Sequence, residues 1–191
     1  MPRRRAIELT DARALRAVAH PIRLTLIGLL RREGPLTATQ CGDRVGQSAA
    51  ACSFHLRQLA KYGLVEEAGG GRGRERPWRA TAQFTSWPNV ADDPELAAAA
   101  QMLSTVVAER YFERVLQWLD RTPDEPPEWR EAAAFGDRIL YLTADELAAL
   151  GRELDELGDR YQERTADPQL RPEGSRRVTF LPIAFPERPD D

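Results

Sequence analysis

The sequence predicts a mainly α chain with a small β content, and three observations carry that prediction. Two short amphipathic segments follow one another between residues 36 and 63, separated by a single glycine-containing turn. A polar, glycine- and arginine-rich stretch over residues 68–77 lies between two short β-prone runs. Apolar residues then persist at helical spacing from residue 94 to residue 119. The expected order is a compact N-terminal helical module closed by a hairpin, one long helix, and a small α/β appendage.

The N-terminal elements follow from local signals. Thr10 is placed to open a short helix bearing Leu15, Val18 and Ala19. Pro21 suits the first turn of the next helix, where a missing N–H is no loss. Ile22, Leu26, Leu29 and Leu30 form its apolar stripe, Arg23, Arg31 and Arg32 take the wet side, and Gly34 stops it. Thr37 and Gln40 fit a capping box, Gly46 closes that helix, and Ser48 caps the one after. Cys52, Leu56, Leu59 and Tyr62 recur at helical spacing until Gly63, while Ala49, Ala50, Ser53, Phe54 and Arg57 take the opposite face.

That opposite face is small at its front and basic further back, as a helix must be if its N-terminal half is to approach base edges. Leu64 and Val65 start a strand whose returning partner is Trp78, Arg79 and Ala80. The hairpin between them, 68–77, carries Arg72, Arg74 and Arg76 at its tip, where a guanidinium can fork onto phosphate or enter a narrow minor groove. A solvated loop would have the same composition. Its coupling to the helix pair favours a wing, and the whole then reads as a winged helix-turn-helix domain over residues 1–87.

Charge points the same way. Residues 1–87 hold 15 Arg and Lys against 7 Asp and Glu, a balance of +8. The remainder holds 12 against 23, a balance of −11, which together give the chain's −3. A mildly acidic chain is therefore a basic module joined to an acidic one, and a basic half suits a polyanion.

The segments AHPIRLTLIGLL and LTATQCGDRVGQSAAACSFHLRQLAKYGLVE, with the glycine-arginine wing, resemble ArsR-type winged-helix transcriptional regulators over roughly residues 11–82. The resemblance implies a homodimer that binds double-stranded DNA, usually as a repressor, with the helix 48–62 in the major groove. Carried over by position, Gln47, Ser48, Ala50, Ser53, Phe54 and Arg57 would read the operator. Arg72, Arg74 and Arg76 would lie on the backbone or in the minor groove. One departure matters. Metal-sensing members carry a Cys-x-Cys pair on the first helix of the motif, and this chain has Cys41 alone there. Cys41 and Cys52 fall where the helix pattern wants a small buried residue, so core packing is expected rather than metal or redox sensing. His55 reads as a packed ring or a phosphate contact, and His20 as the residue leading into the second helix. No metal and no cofactor are expected.

Residues 83–92 carry polar residues and a proline and look like a boundary. Beyond it, over 88–191, an acidic helical part is expected to complete a dimer and to sense a small-molecule effector if there is one. Asp93 and Pro94 open the long helix, whose apolar band is wider than one partner requires; association with its twin through 94–119 explains that band. TPDEPPEW is a proline-rich link and 128–135 a short helix. Residues 138–142 (RILYL) and 177–183 (RVTFLPI) read as strands. Between them Thr143 and Glu146 open a helix stepping through Leu147, Leu150, Leu154, Leu157 and Tyr161, which breaks at Asp167 and Pro168. Trp87, Trp118, Trp129 and Tyr141 are candidate walls of an effector pocket, with ordinary core as the default.

Two cysteines, no apolar leader after MPRRR, and no apolar run near the ~20 residues a bilayer needs imply a soluble, cytoplasmic protein. Arg3, Arg4 and Arg5 could form a basic arm or a solvated tail. Catalysis is not expected: GGGRGR lacks the helix and lysine of a phosphate loop, and neither histidine has a nucleophile beside it. A sequence-specific regulator is therefore expected. The alternatives are a low-specificity nucleoid-type DNA binder, which the short side chains at Ala49, Ala50 and Ala51 would suit, and a winged-helix protein-interaction module.

Overall fold

A computed structural model describes residues 6–71 and 76–188 of the chain. It resolves two compact units, residues 1–120 and 121–191.

The first unit opens with β1 (Ala6–Glu8), α1 (Ala12–Val18) and α2 (Pro21–Glu33). Asp11, not Thr10, caps α1, its carboxylate accepting from the Ala14 N–H at 2.9 Å. Either residue type satisfies the cap position, so the sequence left the choice between neighbours open. Pro21 occupies the first turn of α2 behind His20, and Gly34 ends it at φ 82°. The helix pair is α3 (Ala38–Val45) and α4 (Ala49–Lys61). Thr37 and Gln40 complete the expected capping box, Gly46 closes α3 in the left-handed region at φ 66°, and Ser48 Oγ accepts from the Ala51 N–H at 3.1 Å.

The hairpin pairs β2 (Val65–Glu67) with β3 (Trp78–Ala80) antiparallel, in the register Val65↔Ala80, Glu66↔Arg79 and Glu67↔Trp78. Leu36 extends this sheet through a bridge to Trp78, with N–H to O distances of 2.8 and 3.0 Å. The stretch expected as a plain boundary instead contains β4 (Phe84–Ser86), which pairs in parallel with β1. Three-residue strands far apart in sequence leave no local alternation to read.

The long helix is α5 (Pro94–Arg121), 28 residues and so about 42 Å long. Its first half is part of this unit's core: Ala99, Ala100 and Leu103 are buried with Leu15, Leu26, Leu56, Leu59 and Leu64. Trp87 Nε1 donates to Ser104 Oγ at 2.9 Å, and Arg110 donates to Thr25 Oγ1 at 2.6 Å. Arg31 does not take the wet side. It reaches from α2 to donate to the Ala82 carbonyl at 2.9 Å and to Thr85 Oγ1 at 2.7 Å, and burial lowers its pKa to about 10.

The second unit contains α6 (Pro127–Ala132), α7 (Ala144–Asp159) and α8 (Gln162–Ala166), with short 3-10 turns at Thr122–Asp124 and Pro168–Leu170. Thr143 and Glu146 form the expected capping box. Tyr161 lies beyond α7, at the start of α8. The α/β appendage is corrected: among the described residues of this unit none is in a strand. Ile139, Tyr141, Val178, Phe180 and Ile183 are all more than half exposed. Their alternation names a face to cover, but an isolated strand pair is at best marginally stable in water. Two of the candidate aromatic walls, Trp129 and Tyr141, belong to this unit. Tyr141 is 97% exposed, and Trp129 lies under the guanidinium of Arg176, 4.8 Å from its ring centre. Arg176 also pairs with Glu125 at 2.8 Å.

Candidate nucleic-acid interface

Helix α4 has two unlike faces. Cys52, Leu56 and Leu59 are fully buried. The other face presents Ala49, Ala50 and Arg57 to solvent, with Phe54 56% exposed and Ser53 half-buried. Gln47 and Ser48, in the turn before it, are exposed as well. The six expected reading residues thus lie together on one accessible surface. Arg57 engages no acceptor among the described residues.

The turn between α3 and α4 depends on a residue that sequence reading passed over. A Cβ on Gly42 would meet the Gln47 backbone oxygen at 2.5 Å, and the Gln47 N–H donates to the Gly42 carbonyl at 3.1 Å. Gly42 lies inside α3, four residues before the glycine that closes the helix, so Gly46 and not Gly42 carries the stop signal. What could have marked it is a glycine opposite a three-residue connection, Gly46 to Ser48, where two backbones must nearly touch.

Of the wing arginines, Arg72 and Arg74 lie outside the described residues. Arg76 is exposed and pairs with Glu67 across the hairpin at 3.4 Å. Arg79, which sequence reading did not place at the site, pairs with Glu66 at 2.8 Å on the same hairpin. Such exposed pairs hold little energy, and a competing phosphate can open them.

Burial raises both thiols, Cys41 to about 11 and Cys52 in the same direction, so each stays protonated as a small apolar side chain. Among the described residues no group of three or more His, Cys, Asp and Glu side chains could hold a metal ion. His55 packs, one of the two roles expected of it: its ring lies 4.9 Å from that of His20 and 5.3 Å from that of Phe54. Burial first, then nearby positive charge, holds both histidines below their usual pKa.

A capped helix pair with a tight turn and an antiparallel hairpin give the first unit a winged helix-turn-helix fold, with the long helix α5 packed into the same core. A family model described as a helix-turn-helix domain matches residues 18–68, which run from the end of α1 to just beyond β2. No curated protein sequence matches the chain. Similar solved structures include wild-type MarR from E. coli in its apo form, at 15% identity over 76% of this chain and 86% of that one, TM-score 0.33. A mutant of ZitR from Lactococcus lactis in apo form gives 14%, 75%, 83% and 0.33. PcaV from Streptomyces coelicolor, a transcriptional regulator in complex with its natural ligand, gives 16%, 73%, 74% and 0.33. The fold assignment rests on the elements themselves and on the helix-turn-helix match.

Proposed function

We propose that the protein is a dimeric DNA-binding transcriptional regulator of the repressor type. In this reading Gln47, Ser48, Ala50, Ser53, Phe54 and Arg57 face the major groove, and the wing 68–77 lies on phosphates or in the minor groove. The observation that carries it is the accessible, small-then-basic face of α4, together with a hairpin on which Arg76 and Arg79 are described, in a segment of charge +8. Counterion release from phosphates supplies affinity, and base-edge contacts supply preference. Kinship with the ArsR type is part of this proposal, on the residues quoted from the sequence.

The functional division falls at residues 87/88, with 88–191 serving dimerisation and effector response. It is a different cut from the compact units, because α5 belongs to the first unit's core and to the proposed dimer alike. A cleft of about 520 Å³ lined by Pro88, Val90, Ala97, Gln101 and Ser104 is where a small-molecule effector would bear on α5. Among the described residues no helix is long and apolar enough to cross a membrane. A cytoplasmic site of action belongs to the same proposal.

Fragments selected from random DNA provide the probe. Arg57→Ala is expected to weaken binding to the selected site by roughly 1–3 kcal/mol and to relax preference at one base position. Replacing Arg72, Arg74 and Arg76 together should flatten the salt slope by up to ~3 while leaving the selected consensus intact. Equal loss from Arg57→Ala on selected and random duplexes would favour a low-specificity binder, the reading that the bare methyls of Ala49 and Ala50 suit. Binding that ignores salt, or no binding, would overturn both readings and leave a protein-interaction module.

A further inference from the structure

We propose that His20, Arg23 and His55 form a binding site for a phosphate group at the junction of α2 and α4. His20 occupies the N-cap position of α2, Arg23 lies in its first turn and His55 in α4, with the two imidazole rings 4.9 Å apart and tilted by 44°. Their inner nitrogens, His20 Nδ1, Arg23 Nε and His55 Nδ1, are buried without a hydrogen-bond partner in the protein. Each residue is only half-buried, so the remainder of each side chain reaches solvent.

The chemistry selects an anion. An imidazole whose Nδ1 is buried without a donor keeps its proton on Nε2, which then points an N–H outward. Two such rings and a guanidinium offer donors and no carboxylate. The groups bearing on the pair are each other and Arg23, and Tyr62 in turn bears on Arg23. No carboxylate is among them. A metal cation would meet the guanidinium charge, whereas a phosphate would be held by it and could take a forked contact. Helix α2 adds its positive end, because His20 gives that 13-residue helix no side-chain cap. Phe54, edge-on to His55 at 5.3 Å, joins the cluster to the reading face, so a duplex backbone phosphate is within the range of sources. A free phosphate or a phosphorylated small molecule shares the chemistry. In its duplex form the inference rests on the DNA reading above.

The chain has two histidines in all, both in this cluster, so its imidazole NMR signals report the site without assignment ambiguity. The full-length protein, free of any histidine tag, would be titrated with pH in three media of matched ionic strength: sodium chloride, inorganic phosphate, and chloride with a selected duplex. An anion held against both rings should raise both pKa values by about 1 pH unit or more. A rise in phosphate supports a site open to small anions, and a rise with duplex alone assigns the backbone as the source. Arg23→Gln should abolish the rise while both rings still titrate. No rise in either medium, a rise in one ring only, or a full rise in Arg23→Gln would overturn the inference. Duplex binding followed by fluorescence anisotropy in the same samples separates the two proposals. A duplex that binds while both rings stay put in every medium sinks this site and leaves the DNA reading standing. Rings that respond to phosphate in a protein that binds no duplex do the reverse.

Discussion

Gly42 has a backbone oxygen 2.5 Å from where its Cβ would be, while Gly34 and Gly46 have nothing within 4 Å of theirs. The two kinds of glycine are required for different reasons. At Gly34 and Gly46, φ values of 82° and 66° ask for a residue without a Cβ on conformational grounds. At Gly42 the space itself is taken, and the obstacle is the Gln47 carbonyl, which cannot rotate away as a side-chain tip could. Gly42→Ala should therefore separate α3 from α4 and cost roughly 1–3 kcal/mol, the range for overpacking a close contact. Urea denaturation followed by circular dichroism measures it. An unchanged midpoint would mean that the turn is looser than the geometry states. Because the turn sets the pitch of α4 against the wing, the variant should also lose DNA affinity at temperatures where it remains folded.

At the scale of elements, Arg31 fastens α2 to the segment leading into β4 through the Ala82 carbonyl and Thr85 Oγ1. Arg31→Met keeps much of the packing but takes the guanidinium donor from a part-buried carbonyl, for a cost of about 1 kcal/mol. A midpoint in urea equal to wild type would show that water replaces the guanidinium there. Arg31 also illustrates what the sequence could and could not convey. Helix ends were legible because their signals are local: Thr37 with Gln40, Ser48, Gly46 and Gly34 each act within one turn of themselves. The buried stripe of α4 was legible from its period. Arg31 was misread because its place on the helical wheel is polar, while the groups it satisfies lie 51 and 54 residues away. β1 and β4 were missed for the same reason, since their pairing spans most of the first unit. The strands expected at 138–142 and 177–183 failed in the opposite sense: a sound local pattern is in no strand pairing among the described residues.

On the scale of the whole molecule, the apolar surface is unevenly covered. Helix α5 buries Ala99, Ala100 and Leu103, then leaves Phe112, Leu116 and Leu119 exposed at spacings of four and three. Three large side chains repeated along one face of a helix are the pattern of a helix that packs on another. The acidic second unit adds further uncovered side chains, among them Phe135, Val178 and Phe180. A two-fold dimer is the economical way to cover a surface that each copy presents identically. It would also set the separation of two reading helices, which must match about one turn of DNA, ~34 Å, for both to engage. Light scattering on the wild type should give twice the chain mass of 21.5 kDa at micromolar concentration. Phe112→Lys with Leu116→Lys should give the single mass, with the helical signal of the first unit retained because neither residue is in its core. The same variant should lose preference for selected duplexes with two half-sites while keeping salt-dependent binding to one, since the face of α4 proposed to read the duplex is untouched. A wild type that is monomeric at that concentration, or a variant that stays dimeric, would remove α5 from the proposed interface.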